Sequence, residues 1–104
     1  MHVYCPVDSA DNLRLAIAQA GGGKIGNYSH CAFVATGDGY FMPCNGANPA
    51  IGDVGVVSKV SEVKIEFICH KTKVIRVMQA IKDNHPYEEV ACDIIPLLGV
   101  EIGA

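Results

Sequence analysis

The segment HPYEE, residues 85–89, concentrates the side chains of this sequence that could do chemistry. It places an imidazole, a phenol and two carboxylates within five positions, and these groups can exchange protons, bind a ligand or hold a metal ion. His85 and Glu89 together offer the nitrogen and oxygen donors that many divalent-metal sites use. Tyr87 and Glu88 add hydrogen-bonding groups that suit a small ligand or a structural turn. The segment therefore predicts a ligand site, a metal site or a hydrogen-bonded turn.

Two other histidines, His30 and His70, are candidate metal ligands far from this segment in the sequence. Neither lies in an HExxH motif or beside a CxxC pair. A metal site would therefore have to combine residues from different strands or different subunits, because neighbours on one strand point to opposite faces. A divalent metal ion is an alternative cofactor, and the sequence indicates no other.

No pattern in the chain predicts catalysis. The stretch GGGKIG at 21–26 resembles a phosphate loop in composition, but it follows a predicted helix, and Ile25 stands where the motif needs Ser or Thr. Most of the cysteines fall on predicted inward faces, whereas Cys44 lies in a loop and should be the first to react. Because no nucleophile–base pair or cofactor fingerprint occurs, we expect no catalytic residue and rank a small hydrolase-type enzyme last.

Hydrophobic periodicity predicts the elements that must position these residues. In the strands predicted at 2–7 and 62–70, alternate residues are apolar and mark an inward face, and Glu62 falls on the polar face of the second. The second helix carries an apolar stripe of Val74, Ile75, Met78 and Ile81, and Pro86 ends it, since the residue before a proline avoids helical geometry. The TGDG stretch predicts a hairpin turn. The predicted order is a strand at 2–7, a helix ending at glycines 21–23, two strand segments around 36–39, a loop at 43–55, a strand at 62–70, a helix at 71–84 and a strand from Glu88 to Leu98.

This order predicts one α+β domain over residues 1–104, a ferredoxin-like (split βαβ) two-layer sandwich with both helices on one face of a sheet. The other face of the sheet must then be solvated or buried against another subunit. Half of the residues are apolar and only 18% are charged. A short chain with so little charge favours self-association, so we expect a homo-oligomer.

The remaining composition excludes several classes of protein. The net charge is −3, the few Lys and Arg are scattered, and there is no Trp, so we expect no nucleic-acid partner. No signal-like N-terminus and no run of about 18 apolar residues occurs, so we expect no membrane partner. The five cysteines are widely spaced and odd in number, which is typical of a cytoplasmic protein with reduced thiols.

Three stretches carry a resemblance to a known family, in the order GKIGNYSHCAFVATGDGYFMPCNGANPAIGDVG, SEVKIEF and HPYEEVACDIIPL. Together they resemble the PII-like insertion domain of the NIF-three-like proteins, named for interacting with the yeast Ngg factor. The HPYE motif is also similar to that of the CutA divalent-cation-tolerance proteins. The resemblance implies a PII/CutA-like sandwich that associates through its sheets as a trimer or a multiple of one.

The resemblance implies a stand-alone NIF-three-like module that is an oligomeric ligand-binding or regulatory protein without catalysis. Its partners would be copies of itself and a small molecule or protein, with clefts near Tyr28 and residues 85–89. A CutA-like divalent metal-binding protein is the alternative, using His85 with Glu88 or Glu89, and His30 or His70 from a neighbour. The flanking segments that build the dinuclear metal site of larger members are absent from these residues, so their hydrolase activity is not implied.

Overall fold

The computed structural model describes residues 1–98. Four strands and two helices follow one another as strand, helix, two strands, helix and strand, with one continuous strand where the sequence predicted two segments, and a short 3₁₀ turn precedes each helix. The elements are β1 (His2–Pro6), α1 (Ala10–Gln19), β2 (Phe33–Phe41), β3 (Ser58–Glu66), α2 (Val74–Asn84) and β4 (Cys92–Asp93), with the turns at Val7–Ser9 and Lys71–Lys73.

The strands form one antiparallel sheet in the order β2-β3-β1-β4. The crossover from β1 through α1 to β2 leaves room for β3 between them, and the chain returns through α2 to place β4 on the free edge of β1. This α+β arrangement is consistent with the predicted ferredoxin-like sandwich. None of the helices in residues 1–98 is long and apolar enough to cross a lipid bilayer.

The core lies between the helices and one face of the sheet. Val3 and Cys5 of β1 are fully buried, and their register partners Ile65 and Val63 on β3 share that face. The helices contribute the remaining central side chains, which are Leu13, Ile17, Val77 and Ile81. The alternation that predicted β1 and β3 is therefore confirmed, because it identifies the face that each strand turns toward the helices.

The apolar stripe of α2 agrees with the predicted one at Val74 and Ile81 and differs from it at the other positions. Val77 and Ile81 are buried and Val74 packs against the core, whereas Ile75 is 76% exposed and Met78 is also exposed. The observed stripe follows the spacing i, i+3 and i+7, which selects Val74 rather than its equally apolar neighbour. The predicted end of the helix is correct, because α2 ends at Asn84 and His85 has extended geometry before Pro86.

The predicted hairpin turn at TGDG is wrong. Residues 36–39 lie inside the continuous strand β2, and each of them pairs with a residue of β3. The glycines are not needed here for a turn. A side chain at Gly39 would overlap the carboxylate of Glu62, so this glycine gives space to a neighbour across the strands. The actual connection between β2 and β3 is the irregular loop predicted around residues 43–55.

The last strand is much shorter than predicted. Only Cys92 and Asp93 pair with β1, opposite Val3 and His2, so residues 94–98 lie beyond the end of that strand. The earlier part of the predicted strand bends at residues 86–89 instead of pairing. Glu88 and Glu89 are therefore not the alternating start of a strand, and their side chains need not point to opposite faces of the sheet.

Candidate functional site

His85 fastens the end of α2 to the first strand. Its side chain is only 8% exposed, and its Nε2–H donates a hydrogen bond of 2.7 Å to the carbonyl oxygen of Tyr4. The other ring nitrogen, Nδ1, accepts a hydrogen bond of 3.0 Å from the backbone N–H of Tyr87. This pair of bonds selects the neutral Nε2–H tautomer and leaves neither nitrogen free. His85 would have to break one of these bonds to bind a metal ion.

Tyr87 joins the same segment to the sheet. Its hydroxyl donates a hydrogen bond of 2.9 Å to Oε2 of Glu62 on β3. Its ring packs at a tilt between those of Phe41 and His85, with centroid separations of 5.7 and 5.1 Å. Desolvation by burial raises the pKa of the Tyr87 phenol, and the hydrogen bond to the Glu62 carboxylate raises it further. The phenol is therefore a neutral donor that holds Glu62 in place.

The two glutamates of the segment have different roles. Oε1 of Glu88 accepts a hydrogen bond of 2.8 Å from the backbone N–H of Asn48, which ties the loop between β2 and β3 to the end of α2. Glu89 is exposed, and no side-chain hydrogen bond or ion pair engages it within residues 1–98. Both glutamates line one cleft, because the chain bends between His85 and Val90.

This cleft has a volume of about 360 Å³ and opens between the end of β2, the following loop and residues 87–91. Its walls are mostly apolar, and three carboxylates reach its lining. The aromatic members are Tyr4, Tyr40, Phe41 and Tyr87, and the acidic members are Glu62, Glu88 and Glu89. The cleft is of the size and character of a small-molecule site, with a few polar groups set in an apolar surround.

The other predicted site residues lie elsewhere in the chain. Tyr28 ends a tight two-residue turn, is 75% exposed and does not line the cleft. Nδ1 of His30 is 2.8 Å from the hydroxyl of Ser29. Nδ1 of His70 accepts from the backbone N–H of Thr72 and so caps the turn before α2. Of the predicted site residues, Tyr87, Glu88 and Glu89 line the cleft, and His85 is hydrogen-bonded to the backbone beside them.

No group of three or more His, Cys, Asp or Glu side chains within residues 1–98 is arranged to hold a metal ion. The predicted metal ligands His30, His70, His85 and Glu89 are not gathered by a single chain. A site shared between subunits, as the sequence predicted, would need these residues to meet across an interface. That alternative stays a prediction.

Sequence reasoning missed the residue at the centre of the site. The sequence assigns Glu62 no role beyond the polar face of the strand predicted at 62–70, yet Glu62 accepts a hydrogen bond from the Tyr87 hydroxyl and its carboxylate lies where a side chain at Gly39 would be. The alternation does place it on the face opposite the buried Val63. Gly39 is the residue that could have indicated this role, because a glycine inside a strand often marks the close approach of another group.

Comparison with known proteins places these residues in a wider context. No protein-family model matches the chain. A Bacillus subtilis protein named "GTP cyclohydrolase 1 type 2 homolog" is 46% identical over 95 residues, which is 91% of this chain and 26% of the relative. A Mycobacterium tuberculosis protein of the same name is 39% identical over 102 residues, which is 98% of this chain and 27% of the relative.

A solved structure gives the same result in three dimensions. The crystal structure of a Bacillus cereus protein related to NIF3 superposes with a TM-score of 0.80 at 43% identity, covering 92% of this chain and 24% of the other. The chain is homologous to one segment of NIF3-related proteins. The resemblance to the NIF-three-like family is thereby confirmed, and the chain spans about a quarter of the length of the relatives it matches.

Proposed function

We propose that this NIF3-like chain is an oligomeric ligand-binding module of the PII/CutA type, with no catalytic step of its own. The observation that carries the proposal is the apolar surface on the sheet and its loop. Large apolar side chains are exposed at the start of β2, just before β3 and in the segment after β4: Phe33, Val34, Val56, Val57, Ile94, Ile95, Leu97 and Leu98. Phe33, Ile95 and Leu97 line one shallow hollow of this surface, and adjoining exposed apolar side chains of this kind mark an interaction site.

The extent of the surface supports the same proposal. Most residues of β2 are exposed along the whole length of the strand, on both of its faces. Such a sheet gains stability when a second copy covers it. Association through the sheet is also what the PII/CutA resemblance implies.

The cleft supplies the ligand-binding part of the proposal. Among its lining groups, Tyr87, Glu62 and Glu88 are held by hydrogen bonds. A phenol with a raised pKa next to a carboxylate is poorly suited to proton transfer near neutral pH. The arrangement therefore suits recognition better than catalysis. The word cyclohydrolase in the name of the relatives belongs to proteins that are about four times as long as this chain.

Native mass spectrometry of the untagged 104-residue protein, purified without chelator, tests the proposal. We expect a trimer or a multiple of one at micromolar concentration, with added mass where a ligand stays bound. Phe33→Glu, which puts a charge on the exposed face of β2, should shift the protein toward monomers. Ile75→Glu is the matched control, because Ile75 is equally exposed but lies on α2.

A wild-type protein that stays monomeric contradicts the proposed self-association. If Phe33→Glu and Ile75→Glu dissociate the oligomer equally, the interface does not lie on the sheet specifically. The same preparation should leave GTP unchanged, and turnover that survives repurification would favour an enzyme instead.

A further inference from the structure

We infer that the cleft binds a small organic cation, a protonated amine carried on an apolar body. This inference rests on the proposed ligand-binding function and narrows it to a class of ligand. It is carried by the charge, the aromatic content and the size of the cleft.

The charge of the cleft is of one sign. Glu62, Glu88 and Glu89 line it, and none of the described residues that line it is Lys, Arg or His. None of these three carboxylates takes part in an ion pair within residues 1–98. The cleft therefore gathers three carboxylates with no cationic side chain among its described lining residues.

The aromatic rings of the cleft favour a cation with an apolar body. Tyr4, Tyr40 and Tyr87 make up three of the four tyrosines of the chain, and Phe41 joins them. Ring faces attract organic cations, and the surrounding Met, Pro and Ile side chains accept apolar surface. The Tyr4 ring already has the ammonium group of Lys64 at 6.0 Å from its centroid, at the outer limit of a cation–π contact.

An anionic ligand fits this cleft poorly. A phosphate or carboxylate would meet three carboxylates with no cationic side chain among the described lining residues to offset the repulsion. A bare metal ion would find Glu62 held by Tyr87 and Glu88 held by Asn48, with apolar walls in place of further oxygen ligands. A volume of about 360 Å³ suits a molecule of metabolite size.

Three probes of similar shape test the inference on the full 104-residue chain. Phenethylamine is the cation, 2-phenylethanol is neutral and 3-phenylpropanoate is the anion, and each is titrated by calorimetry and followed in ¹H–¹⁵N NMR spectra. We expect phenethylamine to bind several-fold more tightly than the alcohol, with the anion bound most weakly. The amide signals that shift should be those of Tyr40, Glu62 and residues 87–89.

Charge-removing variants locate the site. Glu89→Gln should weaken phenethylamine binding by about fivefold, since one carboxylate of the cleft is lost without disturbing a hydrogen bond. Glu62→Gln should weaken it as well. Glu66→Gln is the matched control, because Glu66 lies on β3 on the same face but outside the cleft, and it should bind as the wild type does.

Equal or tighter binding of the anion overturns the inference, and so does wild-type affinity in both cleft variants. If the neutral or anionic probe shifts the cleft signals and the amine does not, the cleft binds ligands but does not select cations. If none of the probes binds at millimolar concentration, the inference fails, while the oligomer seen by native mass spectrometry still decides the self-association independently.

Discussion

The side chain of Tyr87 shows how single residues hold this site together. Its backbone N–H donates a hydrogen bond to Nδ1 of His85, its ring packs on Phe41, and its hydroxyl donates a hydrogen bond to Glu62. A chain of contacts thus runs from β1 through the end of α2 to β3. Each of these groups is satisfied within the chain, so the HPYEE segment acts first as a fastening between elements. Its remaining exposed carboxylate, Glu89, is the group left for another molecule.

Replacing Tyr87 by Phe removes only the hydroxyl and leaves the ring in place. We expect a loss of about 1–2 kcal/mol in the free energy of unfolding, because the part-buried Glu62 carboxylate loses its donor. Urea unfolding measures this loss. Tyr28→Phe is the control, since that residue is exposed, and should change stability by less than about 0.5 kcal/mol. Equal losses in both variants would show that the hydroxyl of Tyr87 contributes nothing specific.

At the scale of elements, β2 and β3 decide the geometry of the cleft. Their nine-residue ladder continues through the TGDG stretch, where the local sequence favours a turn. Pairing with β3 along its whole length satisfies the backbone of β2, and this outweighs a local preference of about 1 kcal/mol or less. The straight strand then carries Tyr40 and Phe41 to the cleft, and Gly39 leaves room for Glu62.

Two glycines of β2 form a matched pair that tests this account. In Gly39→Ala the new methyl group pushes the Glu62 carboxylate away from Tyr87, and we expect a loss of about 1 kcal/mol in unfolding free energy. In Gly37→Ala the new methyl group meets open space, so the change should be neutral or stabilising by up to about 0.5 kcal/mol. Thermal or urea unfolding of both variants gives the comparison. If Gly39→Ala is as stable as Gly37→Ala, then Glu62 moves without cost.

The whole molecule is a two-layer sandwich with one well-packed face and one incompletely covered face. On the packed face, Val, Ile and Leu side chains form a core around Cys5. The opposite face of the sheet carries charged residues beside exposed aromatic ones. Burial also changes acid–base behaviour. Desolvation raises the pKa of Cys5 from its ordinary 9.0 to about 11, and the nearby Glu62 carboxylate adds to the effect.

The raised pKa values predict that stability falls in alkaline solution. The Cys5 thiol ionises near pH 9 in the unfolded chain but only near pH 11 in the folded one, so its contribution is complete below pH 9 and is lost as pH rises through about 11. The loss from Cys5 is about 2–3 kcal/mol. The raised pKa of Tyr87 acts in the same direction at higher pH.

Urea unfolding at pH values from 7 to 11 measures this dependence. In Cys5→Ala the stability at pH 7 is lower because the core loses a side chain, but the decline between pH 9 and 11 should be smaller than in the wild type. A wild-type stability that stays constant over this range contradicts the prediction, as does an unchanged decline in the variant.

Local patterns in the sequence were sufficient to predict the faces of two strands and the ends of both helices. Alternation identified the inward face of β1 and β3, the glycines marked the end of α1, and Pro86 marked the end of α2. The sequence determined the grouping of His85, Tyr87 and the two glutamates, because they are close along the chain. The sequence also indicated a small, weakly charged α+β protein and its resemblance to NIF-three-like proteins.

Strand pairing and hydrogen bonds between residues distant in sequence became visible only in the tertiary structure. The pairing of β2 with β3 overrode the TGDG turn signal, and the end of β1 stopped β4 after Asp93. The partnership of Tyr87 with Glu62 joins residues 25 positions apart, and that of His85 with Tyr4 joins residues 81 apart. Such contacts leave no periodic trace, since they arise where the ends of separate elements meet in space. The cleft exists only because those ends meet.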